Sequence, residues 1–129
     1  MTTLKTVKYK SKTDSHKTYE MPQDSVKQTD HIMKLILKTR DPNDLVKVIN
    51  EHYYFGNINF FTREDLLSTA RKIVETEKGT RESFKLVDKF YIKIGIYEAY
   101  KIGEKAKEMN ESLTNALDEL EGYLEREKK

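Results

Sequence analysis

Arg81, Lys85, Lys89 and Lys93 recur every four residues, and Tyr97, Lys101 and Lys105 continue the same step. Cations at that interval share a helix face, and the first four span roughly 18 Å at 1.5 Å per residue. Such a row neutralises phosphates without reading bases, by displacing condensed counterions. Steps of four drift by about 40° each, so the face closes at Lys93 while Lys101 and Lys105 rotate away. Tyr100 supplies a ring on which a base could stack. A second set, Lys5, Lys8, Lys10 and Lys12, stands in residues 1–24, where five Lys face three acids. The row has a plainer reading as well: a solvated face whose lysine stems cover apolar surface, interrupted by Glu82 and Asp88.

Other chemistries find few residues to work with. The histidines are His16, His31 and His52, and neither His31 nor His52 has an acidic residue three or four positions on. No HExxH occurs, Cys is absent, and no Gly-rich phosphate loop or nucleophile elbow is present. The carboxylates fall on helical faces where ionised, solvated acids are normal. These residues predict a non-catalytic protein with no metal and no cofactor.

The chain has 129 residues, room for one domain with one core. Charged residues make up 36% of it, with Gly at 5 and Pro at 2, the balance of a polar, helix-rich protein. No apolar run approaches the roughly 20 residues of a membrane span, and the start "MTTLKTVKYK" lacks an apolar signal core. Without cysteine, a cytoplasmic setting is expected. The net charge of +2 is unevenly spread: residues 81–107 hold seven bases and four acids, and residues 108–127 hold seven acids and one base. A basic middle beside an acidic tail can pair within one molecule, between two copies, or with separate ligands.

Residues 1–24 mix Lys, Thr and Ser without apolar periodicity and read as a disordered basic arm. "SVKQ" at Ser25 reads as a capping box, followed at helical spacing by Val26, Ile32, Met33, Ile36 and Leu37. Pro42 stops that helix, and Asp41 can cap the next, which carries Leu45, Val46, Val48, Ile49 and Tyr53 up to Gly56. Phe55, Ile58, Phe60 and Phe61 are expected to anchor the connection in the core. Thr62 is expected to cap a third helix with Leu66, Leu67, Ala70, Ile73 and Val74 inward, closed by Gly79. Thr80 then opens a final section that fits one long helix or two broken near Gly103 or Asn110. Helix–turn–helix docking is weak, because the connection is long and Glu64 and Asp65 would repel phosphate.

Two features of that final section bear on function. Ile92, Ile94 and Ile96 alternate as a strand would, but helix formers continue on both sides and no partner strand is evident, so a helix is expected. It is apolar almost all round, which puts it at the centre of a bundle or against a second chain. Ile102, Ala106, Met109, Leu113, Ala116, Leu120 and Tyr123 then alternate steps of four and three. That is the a/d seam of a short coiled coil, or the inner face of a bundle helix. Ile102, Met109, Leu113, Leu120 and Tyr123 are its candidate partner-binding residues.

"FFTREDLL" followed downstream by "YIKIGIYEAYKIGEK" resembles the small helical subunit of type III CRISPR effector complexes, with its Thr-led helix and Tyr-Glu-Ala core. Tyr97-Glu98-Ala99 is followed by Tyr100 and Lys101 where that family tends to have Gly-Arg. Its closing aromatic helix has no counterpart in "ALDELEGYLEREKK". The resemblance implies an RNA-guided complex and a basic face along nucleic acid; the functional expectation does not rest on it.

The expectation is an all-α domain of four or five helices over 25–129, preceded by the disordered arm 1–24 and closed by a long amphipathic helix. Its leading function is non-catalytic, sequence-nonspecific nucleic-acid association, as a regulator or complex subunit. The alternative is a protein-binding adaptor or inhibitor, or a homodimer, acting through the acidic C-terminal helix. No membrane partner is expected.

Overall fold

A computed structural model describes residues 5–14, 16–39, 41–45, 47, 60–102 and 107–127, with side chains over 64–96 and 107–124 in the last two segments. The amino-terminal segment overturns the all-α expectation. β1 (Thr6–Lys10) and β2 (Thr18–Pro22) pair antiparallel, with Tyr9 opposite Tyr19 and Val7 opposite Met21. The supposed disordered arm is therefore an ordered hairpin. Its alternation is short but real: Tyr9 and Met21 enter the core, while Lys8, Lys10 and Glu20 stay in water.

Helix α1 (Gln23–Lys38) starts directly from β2, with Pro22 as its N-cap and no side-chain cap. The capping box expected at Ser25 does not form. Ser25 lies inside the helix, buried, and its Oγ donates to the Pro22 carbonyl at 2.9 Å. The helix ends before Thr39, which is extended, as a following Asp-Pro pair favours. Asp41 then accepts the Asn43 amide at 2.9 Å over a 3₁₀ turn, Pro42–Asp44, and Leu45 is fully buried. The expected second helix beyond that point lies outside the described residues, with Val46, Val48, Ile49, His52, Tyr53, Phe55, Gly56 and Ile58.

Helix α2 (Phe60–Glu75) begins before Thr62 and buries Leu66, Leu67, Ala70 and Ile73. Gly79 takes φ +82, and Thr80 Oγ1 accepts the Ser83 amide at 3.2 Å, opening helix α3 (Arg81–Ile102) as expected. Ile92, Ile94 and Ile96 are helical and buried. α3 is the central element, packed against α1, α2, the hairpin and α4 (Lys107–Glu127). The section past Thr80 is thus two helices, with residues 103–106 outside the description.

α4 buries Leu113, Ala116, Leu120 and Leu124. The seam is consumed inside one molecule, as the inner face of a bundle helix. It also departs from a strict heptad at its end, where Leu124 is inward and Tyr123 is 38% exposed. A straight helix of 3.6 residues per turn drifts off a 3.5-residue repeat. Among the described residues, no helix is long and apolar enough to cross a membrane.

Candidate nucleic-acid interface

The lysine row of α3 does not face water. Lys93 is 5% exposed, and its Nζ lies 2.7 Å from both carboxylate oxygens of Asp65 and 3.3 Å from Thr69 Oγ1 on α2. Lys85 is buried, with Nζ 4.7 Å from the centre of the Tyr123 ring. Lys89 is half-buried 3.6 Å from Glu121. Burial, helped by the neighbouring Lys93 charge, holds the Lys89 ammonium below its ordinary pKa. Among the four cations from Arg81 to Lys93, Arg81 alone is exposed; the side chains of Lys101 and Lys105 lie outside the described residues. The reason is topological: an apolar central helix has neighbours on every side, so a row of cations must meet acids on α2 and α4 or snorkel past them. The acidic tail accordingly pairs within the molecule, through Lys89–Glu121 and an exposed Lys17–Glu119 contact of 3.1 Å.

Asp88 organises the other face of α3. It is 1% exposed and accepts from Tyr9 Oη (2.6 Å), Ser11 Oγ (2.8 Å), the Lys12 amide (2.9 Å) and Thr13 Oγ1 (3.3 Å). A buried carboxylate persists only when its lone pairs are met by donors, and here the donors come from the end of β1 and the turn after it. The Tyr9 and Tyr91 rings stack with centroids 4.6 Å apart, and the Tyr91 hydroxyl donates to Asp30 on α1. Both hydroxyls have raised pKa values, first from burial and then from the carboxylates Asp88 and Asp30. No buried side-chain nitrogen or oxygen lacks a partner among the described residues. This lock fixes the turn that carries Lys12, whose Nζ lies 5.6 Å and 6.0 Å from the centres of the Tyr9 and Tyr91 rings.

Exposed basic side chains gather elsewhere. On α1, Lys27, His31, Lys34 and Lys38 are all exposed, at steps of four, three and four. At 100° per residue they occupy an arc of about 60°, opposite buried Ile32 and Ile36, and span roughly 16 Å. Lys27, Lys34 and Lys38 form no ion pair among the described residues. Of the neighbouring acids, Asp24 lies at the start of the helix and Asp30 is engaged by Tyr91. Lys34 also lines a cavity of about 460 Å³ between α1 and the start of α3. Lys12 and Lys78 line the same cavity, and the Lys78 ammonium donates to the Leu37 carbonyl.

Of the sequence-predicted residues, Lys5, Lys8, Lys10 and Lys12 are exposed, but on an ordered hairpin rather than a loose arm. Lys12 alone is brought to the cavity. Among the partner-binding candidates, Leu113 and Leu120 are buried in the core, Met109 is half-buried against it, and Tyr123 meets Lys85. The side chains of Tyr100 and Ile102 lie outside the described residues. Sequence reasoning passed over the α1 row, although its spacing within "KQTDHIMKLILK" was as regular as that of 81–93. Asp88 had no signal of its own, because its donors lie more than seventy residues away. No family model, curated protein or solved structure matches the chain, and the resemblance to the CRISPR subunit gains no support from these comparisons.

Proposed function

We propose that this is a non-catalytic binding protein that associates with nucleic acid through backbone phosphates, using α1 in place of the α3 row. One observation carries the reading: Lys27, His31, Lys34 and Lys38 line one exposed arc of α1, and its three lysines are not consumed by acids among the described residues. Ammonium groups about 10 and 6 Å apart along a rigid helix can each meet a phosphate of one chain, and such contacts gain their affinity from counterion release. Lys12 and Lys78, both exposed, line one cavity together with Lys34 and add positive charge beside the row. The contacts are point charges without a bidentate fork, so they hold a backbone and do not choose a sequence.

The test is fluorescence anisotropy of the whole chain against labelled duplex DNA, single-stranded DNA and RNA from about 50 to 200 mM salt. Binding at low salt with a steep negative slope of log affinity on log salt is expected. Exchanging Lys27, Lys34 and Lys38 for Glu should flatten that slope by at least about 2, whereas Lys93→Gln should leave it unchanged. Absence of binding to all three polymers at the lowest salt overturns the reading.

A further inference from the structure

The cavity beside the α1 row differs in chemistry from the row itself. Its walls are apolar: Met33 and Leu37 from α1, Phe84 and Val87 from α3. Phe84 is 41% exposed and is one of two large hydrophobic side chains left in water among the described residues. The lining also carries three lysines, Lys12, Lys34 and Lys78, the last donating to the Leu37 carbonyl, against the one carboxylate of Asp30. A wet aromatic ring beside apolar walls, with three lysines in the same lining, suits a ligand with a flat apolar body and negative charge on its flanks.

We propose that the cavity receives one unstacked base of a single-stranded nucleic acid, held against Phe84, while the adjoining phosphates rest on Lys34, Lys78 and Lys12. The inference rests on the phosphate-binding reading of α1 and names the polymer. Three arguments favour this occupant. The volume of about 460 Å³ lies in the range of small-ligand sites and exceeds a nucleobase. Lys34 belongs both to the α1 row and to the cavity lining, so a strand lying along the row passes beside the cavity. A paired base would first have to leave its stack, at a cost a single strand does not bear, and stacking on an aromatic ring tolerates any base. An acidic amphipathic helix needs several apolar anchors along a trough, and the exposed arc of α1 provides cations instead.

The experiment uses the whole chain and oligonucleotides of one length: single-stranded DNA, single-stranded RNA and the matching duplex, at fixed low salt. Single strands should bind roughly tenfold or more tightly than duplex. Phe84→Ala should erase that preference while leaving duplex affinity, the salt slope and the urea midpoint unchanged, and Phe84→Trp should keep it. If all polymers bind equally and Phe84→Ala alters nothing, the base-lodging proposal falls and the phosphate reading of α1 stands. If no polymer binds the wild-type chain, both fall. Should a Glu- and Leu-rich helical peptide outcompete the strand, and lose that advantage in Phe84→Ala, the cavity belongs to a protein and the proposal is overturned.

Discussion

Asp88 shows how one residue can decide the state of a segment distant in sequence. Replacing it with Ala would leave the Tyr9 hydroxyl, the Ser11 hydroxyl and the Lys12 amide without their acceptor. Unmet buried donors cost about 1–3 kcal/mol each, so Asp88→Ala should lower stability by about 3 kcal/mol or more in urea unfolding. Asp88→Asn keeps the shape and one acceptor oxygen and should cost less. The tyrosines give the pH dependence. Burial raises the Tyr9 and Tyr91 pKa values above the ordinary value of about 10. Above pH 10 the unfolded chain therefore loses protons that the native state keeps. Their contribution is fully present below about pH 10 and is lost as pH rises beyond it. Lys89 acts with the opposite sign: its lowered pKa means the unfolded chain holds the proton longer, so stability gains as pH rises through that window. Two buried tyrosines outweigh one half-buried lysine. Urea midpoints should hold between about pH 7 and 9 and fall above about pH 10, and the fall should be shallower in Tyr9→Phe.

Between elements, a close approach is made at Gly95. A Cβ built there would stand 3.3 Å from Leu113 Cδ1 and 3.5 Å from Met21 Sδ, so α3, α4 and the hairpin meet at this backbone. Gly95→Ala gains about 1 kcal/mol of helix propensity against slight crowding and should stay within about 1 kcal/mol of wild type. Gly95→Leu would overpack the junction at a cost of about 1–3 kcal/mol. That cost should shrink when Leu113→Ala makes room, which a double-mutant cycle in urea reads directly. The sequence pattern revealed α1, α2 and a helical section past Thr80, without deciding whether that section is one helix or two, because apolar residues recurring at helical spacing are a signal that survives imprecise ends. It concealed the hairpin because β1 and β2 are five residues each and each sends one large apolar residue, Tyr9 or Met21, fully inward. The turn between them carries no Asn-Gly or Asp-Gly. The cation row on α3 misled for the reverse reason. A four-residue step places Lys85, Lys89 and Lys93 together but says nothing of what faces them. Asp65 and Glu121, which do, are brought there by folding.

For the whole molecule, the docked hairpin and the internal seam make two expectations measurable. Removing residues 1–22 should lower the urea midpoint and broaden the transition, because it takes Tyr9 and Met21 out of the core; an idle arm would leave the curve unchanged. Light scattering at two concentrations should return the mass of one chain, 15.2 kDa, since Leu113 and Leu120 are already covered from within. The hydrogen bond from Tyr9 to Asp88 closes a separation of 79 residues. On a ribosome adding about 5–20 residues per second, those 79 residues take roughly 4–16 s to make. Throughout that interval the nascent amino terminus has no acceptor to dock on and only its own weak pairing. A hairpin alone is barely stable in water, so the newborn chain carries its first strand pair as an unfinished edge. That interval is when a chaperone or a neighbouring nascent chain would find it.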